Sequence, residues 1–159
     1  VINLMGQYGM PMVENPFNWA KKLISKLQEE GIKNIFIDFH AEATSEKRIM
    51  LMMFKNQVSA ICGTHTHVGT DDLQIFENTA YLTDIGLTGC RDNVIGMDSK
   101  IPIQKVTTGI GGHFEVPNSC KSILQMMVVD INEGKAASAF KIKKFCNNPK
   151  IFVTEAFIE

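Results

Sequence analysis

The chain has 159 residues, 45% of them hydrophobic and 21% charged, a globular composition long enough for one domain with a sizeable core. Its formal net charge is −1, with lysines and acids scattered, which excludes a basic stripe for tracking nucleic acid and a basic amphipathic helix for lying on a membrane. The longest apolar runs are strand-sized, well short of a membrane span.

Residues 1–5 (VINLM) read as a buried strand. Asn15-Pro16 marks a helix start, with Asn at the N-cap and Pro in the first turn. Phe17, Ala20, Leu23, Ile24 and Leu27 then recur at helical spacing until Gly31 closes the segment. Residues 33–39 (KNIFIDF) read as a second buried strand, ending where His40 begins. Thr44 or Ser45 is placed to cap a helix over 45–55, with Ile49, Met52 and Met53 facing a core. Residues 57–62 (QVSAIC) give the next strand, again ending at a histidine loop. Strand, helix, strand at this spacing is a βαβ unit with parallel strands.

From residue 70 the pattern changes. LQIF and TAYLTDIG flank Glu77-Asn78 as an antiparallel hairpin. Residues 86–97 (GLTGCRDNVIGM) are loop-like and 98–108 a short helix. HFEV (113–116), SILQMMVVDIN and KAASAFKIKKF, the last two around Glu133-Gly134, predict further antiparallel strands. The fold class is therefore α/β, with a mixed sheet and helices on one face. One domain spans 1–145, followed by a C-terminal tail over 146–159.

The N-terminus carries neither a charged leader nor a small-residue cleavage site, and it lacks an initiator Met. Cys62, Cys90, Cys120 and Cys146 are too far apart for a C-x-x-C motif, and they read as reduced thiols of a cytoplasmic protein.

Three of the four histidines fall at the ends of the two parallel strands: His40 after the first, and His65 and His67 after the second. In open α/β sheets that edge is where ligands bind. In an extended segment, His65 and His67 would point to one side with Cα atoms about 6.5–7 Å apart. That spacing suits one metal ion or two neighbouring ions roughly 3.5–4 Å apart. Gly63 frees the backbone for a sharp exit from the strand. Asp38 alternates onto the side of His40 and can accept a hydrogen bond from an imidazole N–H, and Thr64 and Thr66 offer hydroxyls to orient a ligating ring.

Three neutral imidazoles suffice for a mononuclear zinc site, whereas a binuclear centre wants bridging and terminal carboxylates. Of the nearby Asp38, Glu42, Glu46, Asp71, Asp72 and Asp84, none stands out as a bridge. Glu46 reads as a helix first-turn acid and Asp71-Asp72 as a solvated loop. His113 follows Gly109, Gly111 and Gly112 and reads as a loop histidine; the glycines form no phosphate-binding P-loop. The methionines of MLMMF (50–54) read as helix core. Neither a G-x-S-x-G elbow nor the local signature of a thiol nucleophile is present.

DFHAEATSEK (38–47), VSAICGTHTHVGTDD (58–72), AYLTDIGLTG (80–89), VIGMD (94–98) and HFEV (113–116) closely resemble the YmdB-like family of bacterial metallophosphoesterases. The resemblance runs from residue 1 to about 145. It implies a calcineurin-like four-layer α/β/β/α sandwich of mixed sheets flanked by helices. It also implies metal-dependent hydrolysis of phosphodiesters such as 2′,3′-cyclic nucleotides, at a centre of two divalent ions, iron or manganese, with zinc as an alternative. By the resemblance His40 and His65 ligate one ion and His67 the other. The family's remaining ligands, and a catalytic histidine, lie in an N-terminal half within D-x-x-G, A-E-N and G-N-H type motifs, none of which occurs here. The chain accordingly reads as the C-terminal part of a longer protein, carrying the histidine half of the site. The loop 86–98 is placed near the active cleft.

Two other readings stand beside this one. In the first, a non-catalytic interaction module binds at most one regulatory ion. In the second, a mononuclear zinc hydrolase uses all three histidines. The expected partner is a small phosphodiester or nucleotide, with no membrane and no extended nucleic-acid surface; a homo-oligomer is left open.

Overall fold

The computed structural model describes residues 1–158. Two sheets are stacked, with two helices on the outer face of the first. The first sheet contains β1 (Ile2–Met5), β2 (Phe36–His40), β3 (Ala60–Thr64), β4 (Gln74–Phe76), β5 (Thr79–Leu82) and, at its far edge, the two-residue strand Phe157–Ile158. Their spatial order is β1-β2-β3-β5-β4 and then that last strand. β1, β2, β3 and β5 run parallel, while β4 and β5 form the antiparallel hairpin around Glu77-Asn78. Both turn residues take positive φ, 43° and 69°, the twist that a two-residue hairpin requires.

Helices α1 (Pro16–Glu29) and α2 (Thr44–Phe54) cover one face. Asn15 caps α1 by accepting the Asn18 N–H at 3.0 Å, as its sequence predicts. Ala20 and Ile24 of α1 and Met50, Leu51 and Phe54 of α2 pack on Ile37, Phe39, Ile61 and Tyr81 of the sheet. The helical phase of α2 departs from expectation. Ile49, Met52 and Met53 are substantially exposed, whereas Glu46 and Lys47 are buried. The buried stripe runs 47, 50, 51, 54, because Lys47 and Glu46 find partners inside. Neither Thr44 nor Ser45 caps this helix; Ala43 holds the N-cap position without a side-chain bond.

The second sheet is antiparallel, in the order β6 (Gly89–Cys90), β7 (Ser122–Asn132), β8 (Lys135–Phe145), β9 (Ile151–Glu155). Ala136 and Ala139 of β8, with Met127 and Val129 of β7, pack on Ala60, Leu73, Ile75, Ala80 and Leu82 of the first sheet. The layers are thus helix, sheet, sheet, a mixed α/β architecture with its helices α1 and α2 on one face. Residues 146–158, expected as a tail, supply β9 and the strand Phe157–Ile158 (β10), which pair with β8 and β4 respectively. HFEV (113–116) forms no strand and is largely exposed coil after α3 (Lys100–Thr108).

The cysteines also depart from expectation. β6 and the start of β7 are paired neighbours, which brings Cys90 and Cys120 to a Cα–Cα distance of 5.6 Å and joins them in a disulfide. Sequence spacing carried no sign of that proximity. Cys62 is a free buried thiol and Cys146 a free exposed one. Burial pushes the Cys62 thiol up to about 12, so it stays protonated.

Candidate metal centre at the ends of β2 and β3

In β2, Ile37 and Phe39 face the helices, so Asp38 and His40 point to the opposite side by strand alternation. The parallel register sets Asp38 opposite Cys62 and His40 opposite Thr64, and a relay of polar groups follows from that pairing. Asn3 donates to Asp38 Oδ2 at 2.8 Å, the Thr64 hydroxyl donates to Asp38 Oδ1 at 2.9 Å, and His40 Nδ1 lies 3.0 Å from Thr64 Oγ1. Since Thr64 spends its hydrogen on the carboxylate, its oxygen accepts the His40 Nδ1–H. Asp38 thus acts through Thr64 and does not touch the ring.

That bond fixes the tautomer of His40 and leaves its Nε2 lone pair free. His40 Nε2 faces His65 Nδ1 at 3.1 Å, the two rings standing nearly perpendicular at 84°. Burial, and then the neighbouring His65, hold His40 below its ordinary value, which favours the neutral ring that a metal requires. Two nitrogens ~2.0–2.1 Å from one tetrahedral ion lie roughly 3.3 Å from each other. The His40–His65 pair therefore fits as two donors to one ion. Glu42 Oε2 lies 3.2 Å from the other nitrogen of His65.

His67 is directed elsewhere. The expectation of an extended His65–His67 segment with both rings on one side does not hold. His65 has φ 108° and His67 φ 62°, and left-handed residues break the alternation on which that expectation rests. His67 Nδ1–H donates to the Ile95 carbonyl at 2.7 Å, which in the neutral ring puts the lone pair on Nε2, and the residue borders a cleft lined by Leu87, Arg91, Asn93 and Gln125. Ile95 itself has φ 45°, an uncommon state for a β-branched residue. The loop over 91–97 thus touches the candidate site directly. Thr66 uses its hydroxyl with Val68 and bonds neither ring. Among the described residues no three His, Cys, Asp or Glu side chains gather as a metal cage.

The carboxylates sort themselves differently from their sequence reading. Glu46 lies in the first turn of α2 as expected, but it is 1% exposed and accepts the Gln7 and Tyr8 N–H groups, pinning the turn after β1. Asp72 accepts from the Thr83 N–H and hydroxyl, while Asp71 remains exposed. Asp84 is buried against Lys47, with Nζ to Oδ2 at 2.8 Å. The helical stripe gave the one signal for Lys47, since it stands three, four and seven residues before Met50, Leu51 and Phe54. His113 is exposed coil.

A model of the YmdB-like protein family matches residues 1–144. The chain belongs to that family. Among relatives of this YmdB-like chain is the 2′,3′-cyclic-nucleotide 2′-phosphodiesterase of Bacillus subtilis, 40% identical over 149 residues, covering 93% of this chain and 55% of that protein. A putative phosphatase/phosphodiesterase of Mycoplasma genitalium is 42% identical over 122 residues, 74% of this chain and 42% of its own. A solved structure described as a novel phosphatase from Mycoplasma pneumoniae superposes with TM-score 0.71 at 32% identity, over 97% of this chain and 52% of that one. The crystal structure of a hypothetical protein from Thermus thermophilus gives TM-score 0.79 at 27% identity, covering 97% and 56%. The chain spans about half the length of the curated relatives it matches. No helix among the described residues is long and apolar enough to cross a membrane.

Proposed function

We propose that this YmdB-like chain carries the histidine half of a metal-dependent phosphodiesterase centre acting on small phosphodiesters, 2′,3′-cyclic nucleotides foremost. The observation that carries the reading is the facing pair His40 Nε2 and His65 Nδ1 at 3.1 Å, with the far nitrogen of His40 tied to Thr64 and, through the Thr64 hydroxyl, to Asp38. Orientation of a ligating ring through its other nitrogen is the usual support of a metal-binding histidine. His40 and His65 would hold one ion and His67 a second, with carboxylate ligands and the proton-donating histidine contributed by further polypeptide. When bound, two divalent ions (iron, manganese or zinc) supply charge neutralisation at the phosphodiester and a water acidified enough to attack phosphorus at neutral pH. The chain's own part is positional. Thr64 keeps the proton on His40 Nδ1, Asp38 holds Thr64, and the Ile95 carbonyl keeps the proton on His67 Nδ1, so that Nε2 of both rings remains a lone pair.

Hydrolysis of 2′,3′-cyclic AMP by the protein expressed from its complete reading frame tests this. Activity abolished by a chelator, restored by Mn²⁺ and lost in His65→Ala is the expected result. Activity that survives both chelation and that substitution overturns it. One observation favours a second reading: three donors do not converge among the described residues, as in a module that binds a single ion without catalysis. The same observation gives no support to a single zinc held by all three histidines.

A further inference from the structure

Lys47 and Asp84 are each about 1% exposed along their side chains, closed off from solvent. A buried ion pair is weak support for stability, because desolvation offsets most of the attraction; its best-attested use is to fix a register. The partners of Asp84 show what is fixed here. Oδ2 accepts the Lys47 ammonium at 2.8 Å and the Thr66 N–H at 3.1 Å, and Oδ1 accepts the Gly86 N–H at 2.9 Å. Its backbone N–H donates to Thr70 Oγ1 at 2.9 Å, and its carbonyl accepts the Thr70 N–H at 2.9 Å. Thr66 stands between His65 and His67, and Thr70 ends the same turn. One residue therefore grips the histidine turn at its middle and at its end.

The strand beneath is closed around the same point. Ile85 N–H donates to the Gly63 carbonyl at 2.9 Å, and a Cβ on Gly63 would stand 1.7 Å from the Thr83 carbonyl oxygen and 2.9 Å from Lys47 Cδ. The turn it leads into carries His65 and His67 in left-handed conformations, which persist only when surrounding structure over-determines them. A carboxylate at 84 supplies both the negative charge opposite Lys47 and the two acceptor oxygens used by Thr66 and Gly86.

We propose that the Lys47–Asp84 pair is the positioning device of this site: it clamps Thr66 and thereby sets His65 toward His40 and His67 toward Ile95. The inference rests on the metal-centre reading for its consequence, but the clamp itself is a statement about the rings. Lys47→Met/Asp84→Asn removes both charges together, so that neither is left buried and unpaired, and is compared with the unaltered protein. Three quantities are read: thermal unfolding, the ¹⁵N ring resonances of His65 and His67, and Mn²⁺ affinity by calorimetry. The expected result is a folded double variant whose His67 ring mixes tautomers and whose Mn²⁺ affinity falls about 10–100-fold, as for other supports of metal ligands. A folded variant with unaltered ring resonances and affinity within twofold overturns the proposal and leaves the pair merely structural. Should the unaltered protein bind no Mn²⁺, the metal reading fails while the ring resonances still decide the clamp. Should the double variant not fold, exchange of the Thr66 amide in the unaltered protein decides: protection like that of a strand amide supports the clamp, and coil-like exchange overturns it.

Discussion

The chain before about residue 86 and the chain after it are built by different means. In the first part the helices and parallel strands bury Ile24, Ile35, Ile37, Phe39, Met50, Leu51, Ile61 and Tyr81 almost completely. In the second part, the buried apolar residues among those described are Cys90, Ala136 and Ala139, and α3 buries none. The histidines divide along the same line. His40 ends β2 and His65 directly follows β3, strands whose register is specified by a packed face, whereas His67 takes its orientation from the carbonyl of Ile95 in a coil. The two halves of the candidate centre therefore have unequal support, one from packing and one from a loop held by a disulfide.

Weakening each part in turn puts that inequality at risk. Phe39→Ala empties a fully buried site at the centre of the helix-facing layer and is expected to cost about 3–5 kcal/mol in urea unfolding. A loss below about 1 kcal/mol, the size of an ordinary substitution, would mean that the first part is not the rigid one. Next in size is reduction of Cys90–Cys120, which closes a loop across 30 residues and is expected to remove about 2–4 kcal/mol. Hydrogen exchange should then rise at 91–97 and at the His67 loop, with the β2 and β3 amides unchanged. Equal loss of protection in both places would erase the distinction.

Acid gives a smaller and more local effect. Burial alone would push Asp84 upward, but the Lys47 ammonium and the Gly86 and Thr66 donors outweigh it and hold the carboxyl below its ordinary 3.8. A carboxyl depressed in the folded state contributes stability that is present above its unfolded value and is lost as the pH falls through the folded one. Unfolding free energy should therefore decline below about pH 4, the ordinary range of an aspartate, and Asp84→Asn should flatten that decline; an identical acid limb in the variant would contradict the assignment. Smallest of all, Val106→Ala on the exposed α3 is expected to change stability by no more than about 0.5 kcal/mol.

Much of the first part was legible in sequence because its periodicities were clean. FIDFH placed Asp38 and His40 on one side of a strand, and the Asn15-Pro16 start was met at the residue. β3 began later than expected, at Ala60, because Gln57 and Val58 turn back on Phe54, and it kept Thr64 in register opposite His40. Less legible was whatever depends on partners distant in sequence. Nothing in the sequence pairs Lys47 with Asp84, which arrives 37 residues later, or closes the turn after β1 on Glu46. CGTHTHV predicts an extended His65–His67 segment, since nothing in it announces two non-glycine residues at positive φ. The Cys90–Cys120 bond was hidden for the same reason, its closeness being a product of the β6–β7 pairing.

The central claim is that His40 and His65 are metal ligands held ready by Thr64 and Asp38. Elemental analysis of the protein, purified without chelators or a histidine tag, tests it most directly when set beside His65→Ala. The account predicts bound iron, manganese or zinc in the unaltered protein, and loss of metal from the variant with its fold intact. Equal metal content in the two, or none in either after incubation with Mn²⁺ and Zn²⁺, would contradict it.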